Sequence, residues 1–445
     1  MNSFRKPPVA ALTAAGWLLA VTGLAPVAAA DEATGRTNTI TDVAGIEVGQ
    51  VTDRANITGT SVLLMRDGAQ AGVDVRGGLP GTVNTDALNP VASQAFFHGL
   101  VLSGGSWMGL GAYDGVTRYL REQKVGHVYA EGKTVPGVAG AIIYDLGQGE
   151  DFARPLETTP DHGFGYQAAK AANAGPVAQG SVGAGTGAGT DGPGVRLKGG
   201  VGSASIDLGN GITVGAFVVL NSFGKTYDET RGCELYGLHL EVGNEFGDTR
   251  RPPGGCEPGS ANTARDPGID ENTTIGVVAT NATLTAPQAQ KMAQVAQDGL
   301  ARAIRPAHTM NDGDTIYSVS TRKAPAAGPE DFTRILEAGA NTFTRAVDHA
   351  VLKSESLGGR PTYCQTFPGA CGEAAPAAGQ PGAAQPHQGS GHGGPTVQPA
   401  ALDSPATPSL AVPAALLGGL TLLLVSIEPV RRALLRQTTR WHRPR

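Results

Sequence analysis

The chain has 445 residues, of which 34 are Lys or Arg and 39 are Asp or Glu, giving a formal net charge of −5. A mildly acidic balance without basic clusters before the last residues excludes nucleic acid as the expected partner and leaves a small substrate. Once two compositionally distinct ends are set aside, roughly 330 residues remain for a folded body, enough for one large or two ordinary domains.

At the N-terminus, Arg5 and Lys6 precede an apolar run from Val9 to Ala25, and Ala28-Ala29-Ala30 supplies the small residues a signal peptidase needs. Residues 1–30 are therefore predicted to be a signal peptide; the apolar run is short for a spanning anchor. Between Gly180 and Gly202 glycine recurs at almost every second residue, a composition with no helical preference. Strand-like runs follow at Ile212 to Leu220, Thr274 to Thr280 and Thr315 to Ser320, each bounded by Gly, Asn or Asp. The segment from Gly232 to Glu271 is rich in Gly, Pro, Arg and Asp, lacks any sustained period, and ends abruptly at Asn272-Thr273. A long loop of that kind inside a domain is usually functional or disordered.

Thr285 is placed to cap a helix whose apolar positions Met292, Val295, Ala296, Leu300 and Ile304 share one face, with Pro306 closing it. Phe332, Ile335, Leu336, Phe343, Val347 and Val351 mark another. Blocks of strands and helices in this order imply an α/β layered body with helices covering buried sheets. Four cysteines in an exported chain suggest two disulfides, and closeness in sequence favours Cys233 with Cys256 and Cys364 with Cys371.

Residues 361–408 begin with Cys364 and Cys371 and run into a stretch dominated by Ala, Pro, Gly and Gln. It reads as a flexible stalk because it cannot bury enough apolar surface to order itself. Ser409 to Ile427 carries no charge and is about long enough to cross a bilayer; Arg431, Arg432, Arg436, Arg440, Arg443 and Arg445 follow. A C-terminal transmembrane helix over 409–427 and a basic cytoplasmic tail over 428–445 are expected, displaying the body on the extracytoplasmic face of the cell membrane.

The chemistry is clearest at Asn272-Thr273. A threonine hydroxyl is a poor nucleophile unless a base removes its proton, and a threonine that becomes a chain end carries such a base in its own amine, which titrates near pH 8. Asp312 and Asp314, in Asn311-Asp-Gly-Asp-Thr, are carboxylates that could orient that amine; alone, the pattern equally describes a surface turn or a loose cation site. Other motifs fall short. Gly187 to Gly192 matches GxGxxG without a leading strand or following helix, and Gly104-Gly-Ser106-Trp-Met108 has Met108 where a serine elbow needs glycine. Gly132-Lys-Thr134 lacks the upstream glycine of a phosphate loop. His387 and His392 lie in the stalk and reflect its composition.

The run NTTIGVVATNATLT, followed by a helix and then PAHTMNDGDTIYSVST, resembles the C-terminal segment of the L-aminopeptidase/D-esterase family, which includes β-aminopeptidases and nylon-oligomer hydrolases. Further matches lie upstream in the same order: GIEVGQVTD, VDVRGGLPGT, LSGGSWMGLGAYDGV, VPGVAGAIIYDL, GAGTGAGTDGPGVRLKGGVGSAS and ITVGAFVVLNSFG. The likeness covers residues 38 to 350.

This resemblance implies a layered αββα sandwich like that of N-terminal-nucleophile hydrolases, made as one inactive chain that cuts itself before a Ser or Thr. Carried over by motif, the cut would fall between Asn272 and Thr273, giving a catalytic α-chain over 31–272 and a β-chain over 273–360 that opens with the nucleophile Thr273. Thr274 is the neighbouring competitor, and strand alternation sends the two hydroxyls to opposite faces. The resemblance also assigns Asn221 to the oxyanion, Lys198 to the positive potential beside the amine, Tyr144 to hydrogen bonding in the cleft, and Asp312 and Asp314 to orienting the amine and hydroxyl. It implies hydrolysis of small peptide, amide or ester substrates without a cofactor, and homo-oligomers of processed heterodimers. An acyl transferase like the self-cleaving ornithine acetyltransferases, or a catalytically inert surface-displayed binding module, are the alternatives.

Overall fold

Among the described residues, β-branched runs flanked by turn residues form nine strands that hydrogen-bond into one sheet. In chain order they are β1 (Glu47–Asp53), β2 (Thr58–Val75), β3 (Thr82–Val83), β4 (Phe96–Ser103), β5 (Val138–Ile142), β6 (Gly200–Asp207), β7 (Thr213–Leu220), β8 (Ile275–Thr283) and β9 (Thr315–Ala326). They lie in the order β6-β7-β8-β9-β2-β4-β5-β3, with β1 also on β2. Pairing is antiparallel except for β8 with β9 and β4 with β5. The helices are α1 (Ala112–Glu122), α2 (His162–Ala171), α3 (Ala286–Ala303), α4 (Pro329–Leu352) and the short α5 (Tyr363–Thr366). This computed structural model describes residues 33–93, 96–146, 158–190, 196–256 and 271–372. The expected signal peptide, the Ala/Pro/Gly/Gln-rich part of the stalk, the apolar run from Ser409 and the basic tail lie outside them. Among the described residues no helix is long and apolar enough to cross a membrane.

Alternation along the strands builds three apolar layers. Val62, Leu64 and Val101 point outward against Val116, Leu120 and Ala168 of α1 and α2. Ala216, Val218, Val278 and Ile316 point outward at the other end against Met292, Leu300, Phe343 and Val347 of α3 and α4. Their neighbours Leu63, Met65, Leu100, Phe217, Val277 and Tyr317 all meet in a layer between. The Tyr317 hydroxyl crosses that layer to donate to the Gly140 carbonyl at 2.6 Å, although β9 and β5 are not adjacent strands. The sheet therefore curls over its inner face and is covered by helices outside, a mixed α/β fold. Its facing halves are joined by the long β2, which shifts register between Leu64 and Ala69, where Gly68 takes a φ of +77°.

The first part of the excursion, through Cys256, is docked on this body. Cys233 is bridged to Cys256 and Cys364 to Cys371. The Tyr363 hydroxyl donates to the Cys233 carbonyl at 2.8 Å, and Glu245 reaches into α4 to accept from Arg345 at 2.5 Å and from His349 at 2.8 Å. Burial alone would raise the Glu245 carboxyl, but the bonds from His349 and Arg345 outweigh it and hold it at about 2. Asp348, one helical position away, is fully buried; loss of solvent, then the Glu245 charge, raises it well above the usual carboxylate range. A raised folded-state value means that its charge costs stability above the unfolded value of about 3.9, and that the cost fades as falling pH protonates it. Asp348→Asn is thus expected to raise Tm at neutral pH, by a gain of about 1 kcal/mol or more, and the gain should shrink as pH falls. Thermal melts at neutral and mildly acidic pH check it; a variant no more stable at neutral pH contradicts it.

Candidate active site

Topology brings three strand ends together. Because β8 and β9 are parallel, their N-terminal ends lie side by side, and antiparallel β7 delivers its C-terminal end to the same place. Asn272 and Thr273 lead into β8, Asp312 to Asp314 lead into β9, and Asn221 follows β7. Helix α3 is the crossover that permits the parallel pairing. Its N-cap is Thr285, as its sequence predicts, with Gln288 completing a capping box.

Thr273 is 3% exposed. Its backbone N–H donates to the Asn221 carbonyl at 2.6 Å, and its hydroxyl contacts the carbonyl oxygen of Asn272. That oxygen also accepts the Gly313 N–H at 3.0 Å. A hydroxyl is thus held against a carbonyl whose oxygen already has a backbone donor, the arrangement in which negative charge on that oxygen is stabilised. Thr273 lines a cavity of about 120 Å³ with Leu79, Ser106, Trp107, Ile142, Tyr144, Glu271 and Asn272. Thr274 is absent from that wall; its hydroxyl is buried with no hydrogen-bond partner among the described residues.

The carboxylates shape the turn beneath the threonine. Asp314 accepts the Thr274 N–H at 2.8 Å through one oxygen, and the His308 N–H at 3.0 Å and His308 Nδ1 at 2.9 Å through the other. Asp312 accepts the Phe223 N–H at 3.0 Å, the Thr309 N–H at 3.1 Å and the Thr309 hydroxyl at 2.5 Å. Burial, then the charge of Asp314, raises Asp312 above its ordinary value against the pull of these bonds. In this continuous chain both carboxylates bond the backbone around Thr273, while its own N–H is held by Asn221.

Asn221 is fully buried, with Oδ1 accepting the Gly189 N–H at 2.9 Å and Nδ2 donating to the Tyr144 carbonyl at 3.1 Å. Its contact with Thr273 is therefore through the main chain, and Tyr144 faces the site as a cavity wall whose carbonyl accepts. Lys198 is also fully buried, and Nζ donates to the carbonyls of Gly185, Ala188 and Gly199 at 2.8 to 2.9 Å. Because Lys198 pairs with Gly189, and Gly189 with Asn221, the ammonium braces the glycine-rich segment that fixes Asn221. The structure brings Thr273, Asn221, Asp312, Asp314 and Tyr144 to one place, with Lys198 behind Asn221. The Gly313 N–H and the Asn221 carbonyl are backbone groups that leave no residue-type signal, and His308, whose side chain meets Asp314, was not singled out from the sequence. Nor was Asp145, fully buried, whose carboxylate takes the Gly105 N–H and the Thr58 hydroxyl, both at 2.7 Å. That carboxylate anchors the turn carrying Ser106 and Trp107.

The joined strand ends of this mixed α/β body thus gather a hydroxyl, a carbonyl and a backbone donor, the groups that acyl-transfer chemistry uses. Peptidase family S58 matches residues 38–364, and the chain belongs to that family: it is a peptide- or amide-bond hydrolase. It is 42% identical over 359 residues to an uncharacterized aminopeptidase of Mycobacterium leprae, spanning 75% of this chain and 96% of the relative. It is 30% identical over 296 residues to a 6-aminohexanoate-oligomer endohydrolase of a Kocuria species, spanning 65% and 76%. Among solved structures, a Burkholderia β-aminopeptidase superposes with a TM-score of 0.55 at 22% identity, over 75% of this chain and 92% of that one. The L-aminopeptidase D-Ala-esterase/amidase of Ochrobactrum anthropi, described as a variant of the Ntn hydrolase fold, gives 0.52 at 22% identity, over 74% and 89%.

Proposed function

We propose that this chain is a self-processing aminopeptidase-like amidase in which Thr273 is the nucleophile of both its own cleavage and substrate turnover. The observation that carries the reading is the Thr273 hydroxyl lying against the Asn272 carbonyl, with the Gly313 N–H on the same oxygen. In processing, the hydroxyl oxygen bonds to the Asn272 carbonyl carbon, the C–N bond to Thr273 breaks, and the hydroxyl proton ends on the released amine. Water then cleaves the ester, leaving a carboxylate at Asn272 and, at the start of the second chain, Thr273 with its hydroxyl and amine free. In turnover the amine takes the hydroxyl proton as Oγ attacks the substrate carbonyl, the leaving amine carries that proton away, and water releases the acid.

In this reading the Asn221 carbonyl holds the amine, Asp312 and Asp314 fix the turn, and Lys198 braces Asn221 and adds positive potential. The four-layer αββα reading, the signal peptide, the stalk, the membrane anchor, display outside the cell and homo-oligomers of processed heterodimers complete the proposal. Mass analysis and N-terminal sequencing of the active protein test it. Two chains are expected, the second opening at Thr273; active enzyme with an intact Asn272-Thr273 bond refutes it.

A further inference from the structure

Asn272 is held as an extra strand residue. It forms a parallel bridge with Asp312 in the same register that pairs Ile275 with Thr315 in β8 and β9. Its N–H donates to the Asn311 carbonyl at 2.8 Å and its carbonyl accepts from the Gly313 N–H at 3.0 Å, so the 311–313 turn grips residue 272 by its main chain at both ends. The side chain takes no part in this grip: Asn272 is 1% exposed, and among the described residues neither its amide nitrogen nor its amide oxygen has a hydrogen-bond partner. Recognition of the residue before the cut is therefore a backbone matter.

If Thr273 is the nucleophile, as proposed above, the precursor's Asn272 is the first acyl group the site handles. We infer that the 311–313 turn is the acyl-recognition edge of the mature enzyme and that it selects α-aminoacyl substrates. The substrate amine would donate to the Asn311 carbonyl and its scissile carbonyl would accept from the Gly313 N–H, as the two ends of Asn272 do. This is strand addition reduced to a single residue. The two partners are spaced for a nitrogen and a carbonyl joined through one carbon. A β-amino acid inserts another methylene and a 6-aminohexanoyl group inserts several, so when either seats its carbonyl at Gly313 its amine overshoots Asn311. An acyl group without an amine forfeits that bond outright. Among the described residues the Asn272 side chain meets no polar partner, so the edge reads the spacing of the main chain and sets little demand on side-chain polarity.

The test uses the purified, processed protein with three chromogenic anilides that share one leaving group: L-alanyl-, β-alanyl- and propionyl-p-nitroanilide. One hydrogen bond from an ammonium to a buried carbonyl changes kcat/KM by roughly ten-fold or more. The alanyl anilide is expected to exceed each of the others by at least about five-fold. A smaller margin, an inverted order, or no turnover of the alanyl anilide overturns the inference. The nucleophile is read separately on the same preparation, from the mass of the new chain start and the inactivity of Thr273→Ala. With those in place, an inverted order removes the α-aminoacyl edge and leaves the nucleophile standing; an active Thr273→Ala removes the reading on which the edge rests.

Discussion

Thr273→Ala is expected to leave one uncut chain with turnover reduced at least about 1000-fold, because it removes the attacking oxygen from both reactions and leaves the amine of residue 273 locked in a peptide. The neighbouring position supplies the control that separates nucleophile from fold. Thr274 is also buried, but among the described residues its hydroxyl has no partner, and it does not line the cavity. Thr274→Val keeps the shape and deletes an unpartnered polar atom, a change that is near neutral or stabilising. The paired result, gel mobility showing no cleavage for Thr273→Ala and two fragments for Thr274→Val, assigns the reacting hydroxyl. If instead Thr274→Val blocked processing while Thr273→Ala allowed it, the strand alternation that orients the two side chains would have been read on the wrong face.

How far the sequence discloses this arrangement depends on how local the signal is. Strands β7, β8 and β9 and helices α3 and α4 announce themselves: Thr285 caps α3, and the predicted face residues Met292, Ala296, Leu300 and Ile304 are buried, with Val295 at its margin. The other half of the sheet is quieter. Strand β2 runs for 18 residues and carries Arg66-Asp67-Gly68 in its middle, at the bulge through which the strand continues, and no apolar alternation marks that passage. The glycine-rich stretch has no propensity to read, yet β6 starts inside it, and its glycines serve close packing: a Cβ at Gly202 would lie 1.8 Å from the Ala346 carbonyl of α4. The excursion looked shapeless because nothing in its own period foretells that Glu245 will be taken up by Arg345 and His349, 100 or more positions away. At the site, residue types marked the side chains, while the working contacts of Asn221, Asn311 and Gly313 are main-chain atoms that any residue would carry.

Gly313 shows why such a main-chain position still constrains the sequence. A Cβ built there would fall 2.6 Å from the Thr273 hydroxyl oxygen and 2.5 Å from the Leu79 carbonyl. Its φ is not positive, so alanine meets no backbone penalty, and the exclusion is one of space alone. Gly77, from the same motif as Leu79, is under the same restriction: its Cβ would lie 2.3 Å from the Asp314 nitrogen. The turn before β9 and the segment from Gly77 to Leu79 are therefore packed main chain to main chain, with the Thr273 hydroxyl against the same turn. Gly313→Ala has to displace either Thr273 or the Leu79 segment by a sizeable fraction of an ångström, and misplacement of about 1 Å costs on the order of 100-fold in rate. Processing is expected to slow by about that factor, while the fold loses only the roughly 1–3 kcal/mol of a local overpacking. Time courses of cleavage, run beside a thermal melt, check both halves. Gly313→Ala processing at the wild-type rate would mean that the hydroxyl does not react from the position it holds against the Asn272 carbonyl.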